Sequence, residues 1–256
     1  MFINNFDPVA FNFFSLEIRW YSLAYIFGII IGWFYCKKYL IKDRSILNIF
    51  DDLIAYLIIG IILGGRLGYI LIYNFDYYLN HLTEILMIWK GGMSFHGGLV
   101  GVLISTLFFS KKHNINPFIF LDLISAVAPI GIFLGRIANF LNSELYGKQT
   151  EIFWSVIFPK IDNLTRHPSQ IYEALFEGLI LFLILNLLIR KNMLNKKGKI
   201  TSYFLIFYSL FRFLLEFFRE PDQQIGYLIT GMTMGQVLSV FLFTVGIALF
   251  FKKNEN

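Results

Sequence analysis

Residues 117–147 read PFIFLDLISAVAPIGIFLGRIANFLNSELYG. The first part, 117–141, is almost wholly apolar and long enough to cross a bilayer as one helix, which takes about 20 residues. Its polar residues sit toward the ends: Asp122 near the start, Arg136 and Asn139 near the close. Arg136 opens the richest polar cluster in the chain, Gly135-Arg136-Ile137-Ala138-Asn139-Phe140-Leu141-Asn142-Ser143-Glu144-Leu145-Tyr146-Gly147. A guanidinium at membrane depth is costly and survives only where it faces a partner, a ligand or a wet cavity.

The rest of the chain repeats this pattern. Of 256 residues, 57% are hydrophobic and only 15% charged, where a soluble domain carries roughly a quarter charged residues. The expected fold is an all-α integral membrane protein, because the apolar stretches suit spanning helices rather than barrel strands. Seven spans are expected, at about 20–36, 50–72, 93–110, 117–141, 168–189, 200–218 and 231–251, forming one polytopic membrane domain over 1–256. Segment 76–90, with Tyr77, Tyr78, Leu82, Ile85, Leu86 and Trp89, is amphipathic and predicts an interfacial element lying on the membrane. The longest loop, about 142–166, predicts a small external head. The single cysteine, Cys36, rules out an internal disulfide and a thiolate-rich metal site. The start, MFINNFDPVAF, lacks the basic region and cleavage site of a signal peptide, so no processing is expected.

Orientation follows from lysine and arginine placement. Lys37, Lys38, Lys42, Arg44, Lys111, Lys112, Arg190, Lys191, Lys196, Lys197, Lys199, Lys252 and Lys253 fall on one side; Lys90, Lys148, Lys160, Arg166 and Arg219 fall on the other. The first side is expected to be cytoplasmic, with the N-terminus outside and the C-terminus inside. The net charge of +5 is thus a matter of topology, and no nucleic-acid partner is expected. Tyr21, Arg66, His96, Arg136, Asn139, Glu173, Glu177, Tyr208, Arg212, Glu216 and Arg219 then all gather toward the outer leaflet. The cytoplasmic half holds little beyond Asp51, Asp52 and Asp122, expected near helix starts, where carboxylates suit the dipole. A channel or pump would more often line the whole thickness with polar groups.

Spacing adds detail. Arg136 and Asn139 share a helix face; Tyr208, Arg212 and Glu216 run down one stripe that Arg219 continues; Glu173 and Glu177 lie four apart. Every embedded cation is arginine, which grips phosphate through two parallel hydrogen bonds as lysine cannot. The plainer reading makes Arg212–Glu216 and Arg136–Glu144 structural ion pairs. His96, flanked by glycines, is either a solvated edge residue or a general base suited to neutral pH. Gly60-x-x-x-Gly64, Gly64-x-x-x-Gly68, Gly97-x-x-x-Gly101 and Gly131-x-x-x-Gly135 read as helix-packing faces. Pro168 and Ser169 read as the opening of the fifth span rather than as catalytic partners of His167. No His-Glu-x-x-His, Gly-x-Ser-x-Gly or Walker loop occurs, and His81, His96, His113 and His167 are dispersed, so neither metal nor cofactor is expected.

The run from Gly135 to Gly147 resembles the signature of bacterial prolipoprotein diacylglyceryl transferases, Gly-Arg-x-Ala-Asn-Phe-x-Asn-x-Glu-x-x-Gly, at every fixed position. Asp7-Pro8, Arg19-Trp20-Tyr21, Gly64-Gly65-Arg66-x-Gly68-Tyr69, Gly92-Met93-Ser94-Phe95-His96-Gly97-Gly98-Leu99, Arg166-His167-Pro168-Ser169-Gln170, Tyr172-Glu173 and Phe211-Arg212 with Phe217-Phe218-Arg219 also look like family blocks, in family order. The loop at about 148–165 is shorter here than in many relatives. The resemblance implies an enzyme of the bacterial inner membrane with its active site toward the outer leaflet. It implies transfer of the diacylglyceryl group of phosphatidylglycerol to the lipobox cysteine of a prolipoprotein signal peptide, forming a thioether and releasing glycerol phosphate, the first step of lipoprotein maturation. The implied residues are Tyr21, His96, Arg136, Asn139, Glu144, Gly147, Tyr208, Arg212 and Glu216. Of these, Arg136, Arg212, His96 and Tyr21 are candidates for catalysis. Arg136, Asn139, Tyr208 and Arg212 would hold the lipid, and Glu144, Gly147, Glu216, Arg66 and Arg219 would support them. Glu144 and Glu216 are expected to hold the arginines in place. A transporter for an anionic lipid or solute, whose polar lining would continue to the cytoplasmic face, and a structural membrane subunit remain as alternatives.

Overall fold

The apolar stretches fold as helices, and the short polar segments between them supply caps. The computed structural model describes residues 2–14, 16–87, 89, 91–221, 226–228 and 231–252, with the backbone alone for residues 16, 72, 73, 95 and 96. Helix α1 (Trp20–Tyr35) continues through a π turn (Cys36–Leu40), and α2 (Arg44–Tyr73) follows. A short α3 (Phe75–Asn80) and a 3-10 turn (Leu82–Leu86) precede α4 (Phe95–Lys112) and α5 (Pro117–Asn142). A continuous helical run is built of α6 (Ser169–Glu173), a π segment (Ala174–Ile180) and α7 (Leu181–Arg190). Helices α8 (Lys199–Leu215) and α9 (Met234–Phe251) complete the chain. Among the described residues, five helical stretches are long and apolar enough to cross a membrane: Trp20–Leu40, Arg44–Leu71, Pro117–Asn142, Ser169–Arg190 and Met234–Phe251. Helices α4 and α8 are not among the five; they are short, at 18 and 17 residues, and α4 ends in Lys111 and Lys112.

The structure departs from the sequence reading at several points. Helix α2 begins at Arg44, capped by the Asp43 side chain on the Ser45 N–H, so Asp51 lies two turns inside it and pairs with Lys37 at 2.9 Å. Small strands also join the helices. Strand β1 (Phe2–Ile3) pairs in parallel with β4 (Val156–Ile157), which pairs antiparallel with β5 (Thr165–Arg166). Strands β2 (Val9–Phe13) and β3 (Leu16–Arg19) make a bulged hairpin leading into α1. Strands this short show too few residues for an alternating pattern to stand out. The buried Asn4 amide donates to Phe140 O at 2.6 Å, tying the N-terminal segment to the end of α5 that carries Asn139.

The chain divides into two units, residues 37–121 and residues 1–36 with 122–256. In the first, α2 and α4 meet along glycines: a Cβ on Gly60 would lie 2.6 Å from Gly101 O, and one on Gly68 2.7 Å from Gly97 Cα. Only a missing side chain lets two backbones approach so closely. In the second, a Cβ on Gly28 would stand 3.1 Å from Gly131 Cα, so Gly131 serves the contact with α1. Gly135 does not act as a packing face, since nothing lies within 4 Å of its Cβ position. Asp122 is buried, and its carboxylate accepts from Gly198 N (2.6 Å), Thr201 N (2.7 Å) and Thr201 Oγ1 (2.7 Å). It therefore serves a helix start as expected, but that of α8 rather than its own.

Exposure is inverted relative to a soluble protein. Phe27, Ile30 and Phe34 of α1 and Phe241 of α9 are exposed, while Gln170, Glu173 and Glu177 are wholly buried. Apolar side chains facing outward over polar groups within is what hydrocarbon as solvent selects.

Candidate active site

Helix α5 puts Arg136 and Asn139 on one face and ends at Asn142. Ser143 and Leu145 follow at φ +61° and +52°. This left-handed region is disfavoured for a side chain as large as leucine and persists only where the surroundings enforce it. Here Ser143 N donates to Phe140 O (3.0 Å) and Glu144 N to Asn139 O (2.9 Å). From the start of α6, Ser169 Oγ donates to Leu145 O (3.0 Å) and Gln170 Nε2 to Glu144 O (2.6 Å). Ser169 thus opens the fifth helical run as expected, while its hydroxyl clamps the signature loop rather than capping its own helix. The turn sends the Glu144 carboxylate back to Asn139, whose amide donates to Glu144 Oε2 (3.0 Å) and to the Tyr21 hydroxyl (3.4 Å).

Gly147 closes the loop where three backbone segments meet. Its N–H donates to His167 O (3.1 Å), and it bridges Arg219. Lys148 N donates to Phe218 O (2.9 Å). A Cβ on Gly147 would stand 2.6 Å from His167 Cβ and 2.8 Å from Phe218 O, so only glycine fits.

Beneath this loop lies a cluster of arginines and glutamates. Arg136 Nη1 contacts Glu173 Oε2 at 3.0 Å, and its Nη2 contacts Glu177 Oε2 at 3.1 Å. Arg212 Nη1 donates to Glu173 Oε1 at 2.7 Å, and its Nη2 lies 2.5 Å from Glu216 Oε2. Arg219 Nη1 lies 3.6 Å from Glu173 Oε1. Glu216 Oε1 accepts from Thr233 Oγ1 (2.8 Å), and Thr233 also caps α9 in a capping box with Gln236. Tyr208 lies near Arg136, Arg212, Glu173 and Glu177, its ring stacked on Phe204.

Exposure decides what this cluster can do. The Glu173 and Glu177 side chains are 0% exposed, those of Arg136 and Arg212 16% and 12%. The reachable surface is cationic, and the compensating carboxylates are sealed behind it. Each guanidinium has five N–H donors, and the contacts to Glu173, Glu177 and Glu216 leave some free on both Arg136 and Arg212. A preorganised, partly desolvated pair of guanidiniums is suited to an anion whose charge grows during reaction.

The structure thus brings together Tyr21, Arg136, Asn139, Glu144, Gly147, Tyr208, Arg212, Glu216 and Arg219 within one unit. One expected pairing is wrong: Glu144 holds no arginine, because the left-handed turn aims it at Asn139 and Asn142. Glu173 and Glu177 do that work for Arg136. Their four-residue spacing in an apolar span was the available signal, since buried carboxylates need cations. Arg66 belongs to the other unit and is saturated. Its Nε, Nη1 and Nη2 donate to the carbonyls of Ile85 (2.9 Å), Gly91 (2.5 Å), Gly92 (3.2 Å), Glu84 (2.6 Å) and Met87 (3.3 Å). It fastens the 84–92 segment and has no donor left for a ligand. The side chain of His96 lies outside the described residues.

A family model described as Prolipoprotein diacylglyceryl transferase matches residues 8–252. The Phosphatidylglycerol--prolipoprotein diacylglyceryl transferase of Rickettsia bellii is 49% identical over 251 residues, covering 97% of this chain and 95% of that protein. The protein of the same name from Rickettsia typhi is 48% identical over the full length of both chains, and that of Methylocella silvestris is 46% identical over 95% of this chain and 92% of its own. The match takes in the loop from Arg136 to Gly147, the α6 clamp and the arginine–glutamate cluster alike, and this chain belongs to the prolipoprotein diacylglyceryl transferase family.

Proposed function

We infer that this chain is a phosphatidylglycerol–prolipoprotein diacylglyceryl transferase, moving the diacylglyceryl group of phosphatidylglycerol to the lipobox cysteine thiol of a prolipoprotein signal peptide. The observation that carries this reading is the accessible guanidinium pair, Arg136 and Arg212, over fully buried carboxylates. The substrate thiolate attacks the glyceryl carbon next to the phosphate. A carbon–sulfur bond forms, the carbon–oxygen bond breaks, and glycerol phosphate leaves with the electron pair. Charge grows on the departing phosphate, where Arg136 and Arg212 stabilise it most. Asn139 and Tyr208 add neutral hydrogen bonds to the head group, with Tyr21 beside Asn139. Glu216 and Gly147 support the frame, together with Arg219. Glu144 orients Asn139, and Arg66 holds the segment preceding α4. A free cysteine is mostly protonated at neutral pH, and His96 is the candidate to take that proton.

The loop charges support a topology of seven spans, α4 and α8 included, with the N-terminus outside, the C-terminus cytoplasmic and the site at the outer leaflet of the bacterial inner membrane. The 76–90 segment would lie in the interface, as its exposed Tyr77, Leu79, Leu82, Leu86 and Trp89 suggest. Incubation with labelled phosphatidylglycerol and a lipobox peptide tests the reaction: the peptide gains one diacylglyceryl mass at its cysteine, and no gain sinks the reading. Arg136→Lys, which keeps the charge and loses bidentate geometry, should lose most turnover; near-normal turnover excludes a bidentate grip. Unchanged pH–rate profiles and rates in His96→Gln exclude His96 as the base.

A further inference from the structure

Glu177 is buried to 0% and sits in the π segment between α6 and α7. Its Oε2 accepts from Arg136 Nη2 at 3.1 Å. Its Oε1 lies 3.9 Å from Arg212 Nη1 and has no hydrogen-bond partner. Most buried polar atoms are paired, because an unpaired one carries its desolvation cost. Glu173 Oε2 and Glu216 Oε2 of the same cluster share this state, so the geometry around Glu177 is what sets it apart. Glu177 is held half-satisfied against one guanidinium.

The backbone around it is arranged to deliver it there. Gly178 follows directly, and a Cβ on it would stand 2.6 Å from Phe133 Cβ and 2.8 Å from Phe133 Cα. Glycine therefore lets the π segment press onto α5 at Phe133, three residues before Arg136 and on the same face. π turns are uncommon and concentrate at functional sites. Glu173 alone fixes one end of the Arg136 guanidinium, at Nη1; Glu177 fixes the other, at Nη2. Two anchors set the plane of the fork, while one would leave it free to swing.

We propose that Glu177 is a positioning residue for diacylglyceryl transfer, setting the orientation in which Arg136 meets the departing phosphate. Glu173 differs, since it is shared among Arg136, Arg212 and Arg219 and holds the cluster as a whole. The proposal rests on the transferase reading. It predicts that turnover depends on where the Glu177 carboxylate lies and not only on its charge.

The test compares wild type, Glu177→Gln and Glu177→Asp, measuring kcat with phosphatidylglycerol, KM for the lipobox peptide and thermal unfolding in detergent. Glu177→Asp keeps the charge and withdraws the carboxylate by about one bond, roughly 1.5 Å. Misplacement on this scale costs about 10- to 100-fold in rate. Both variants should lose that much kcat per folded enzyme, with peptide KM within about twofold of wild type. A role in charge balance alone leaves Glu177→Asp at wild-type kcat. That result overturns the proposal, as does a loss that merely follows the folded fraction. Wild type that fails to transfer the lipid would instead bring down the transferase reading itself.

Discussion

Replacing Gly147 by alanine tests whether the signature loop is a backbone junction. The added Cβ would stand 2.6 Å from His167 Cβ and 2.8 Å from Phe218 O, where ordinary contact begins at 3.4 Å. The segments must part by about 0.8 Å at His167 Cβ and about 0.6 Å at Phe218 O, and by more at His167 O, which stands nearer still; backbone cannot yield as a flexible side chain does. The bonds Lys148 N to Phe218 O and His167 N to Lys148 O, both 2.9 Å, would then lengthen to about 3.5 and 3.7 Å, beyond the ordinary hydrogen-bond range. Two lost bonds at about 1 kcal/mol each, with overpacking of about 1–3 kcal/mol, give a destabilisation of roughly 3–5 kcal/mol. For a chain of this size that lowers the melting temperature by about 6–20 °C. Displacing the loop also shifts Glu144 and the backbone of Arg219, so transfer should fall by about two orders of magnitude in enzyme that remains folded. Detergent-phase unfolding read by tryptophan fluorescence, paired with transfer to a lipobox peptide, measures both. A Gly147→Ala enzyme that melts within 2 °C of wild type (about the shift of 0.5 kcal/mol) and transfers normally would refute the steric account.

Three further outcomes follow from the same geometry. Arg66→Lys should destabilise by at least about 2 kcal/mol, because three ammonium donors cannot reach five carbonyls spread over residues 84–92; unchanged thermal unfolding would show that Arg66 is not the fastener. Asp122→Ala strands two backbone donors and the Thr201 hydroxyl at the start of α8 and should cost about 2 kcal/mol or more. Asp122 lies 14 residues, about 21 Å along α5, from Arg136, so kcat of the folded fraction should stay within about twofold, and a larger change would link the two ends. His167 is held below its ordinary imidazole value by burial, so its neutral form is favoured in the folded protein. Its contribution is complete above the unfolded value of about 6.5 and fades as pH falls below it; His167→Gln should flatten the fall of stability below about pH 6.5, and an identical slope would discount it.

Much of the fold was legible because lipid imposes long apolar runs. The helix expected at 117–141 runs over 117–142, one residue longer. The stripe from Tyr208 through Arg212 to Glu216 was also visible, because helical periodicity predicts who shares a face. What periodicity cannot predict is which faces meet. Sequence proximity pairs Arg136 with Glu144, eight residues away along the same segment. Left-handed turns at Ser143 and Leu145 reverse the chain there, and Glu173 and Glu177 come from another helix instead. Glycine patterns carried the same ambiguity. Gly60, Gly64 and Gly97 pack backbone to backbone, whereas Gly135, with similar spacing, meets nothing. The strands were hidden by their brevity, and their pairing joins Phe2 to Val156, a separation no local pattern reveals.

The reach of the Arg66 network has a consequence for how the protein is made. All its partners lie within 26 residues of the arginine, so that circuit closes while the ribosome is still near the start of the chain. The charges around Arg136 wait much longer. Arg136 is synthesised 41 residues before Glu177, and Glu216 gains its hydroxyl partner only with Thr233. Until Glu173 and Glu177 are made, Arg136 lacks the carboxylates that neutralise it in the folded protein. The order of synthesis makes its late partners a checkpoint: a chain truncated before Glu173 should hold α5 poorly in the membrane, while residues 37–121 already have every contact that Arg66 makes.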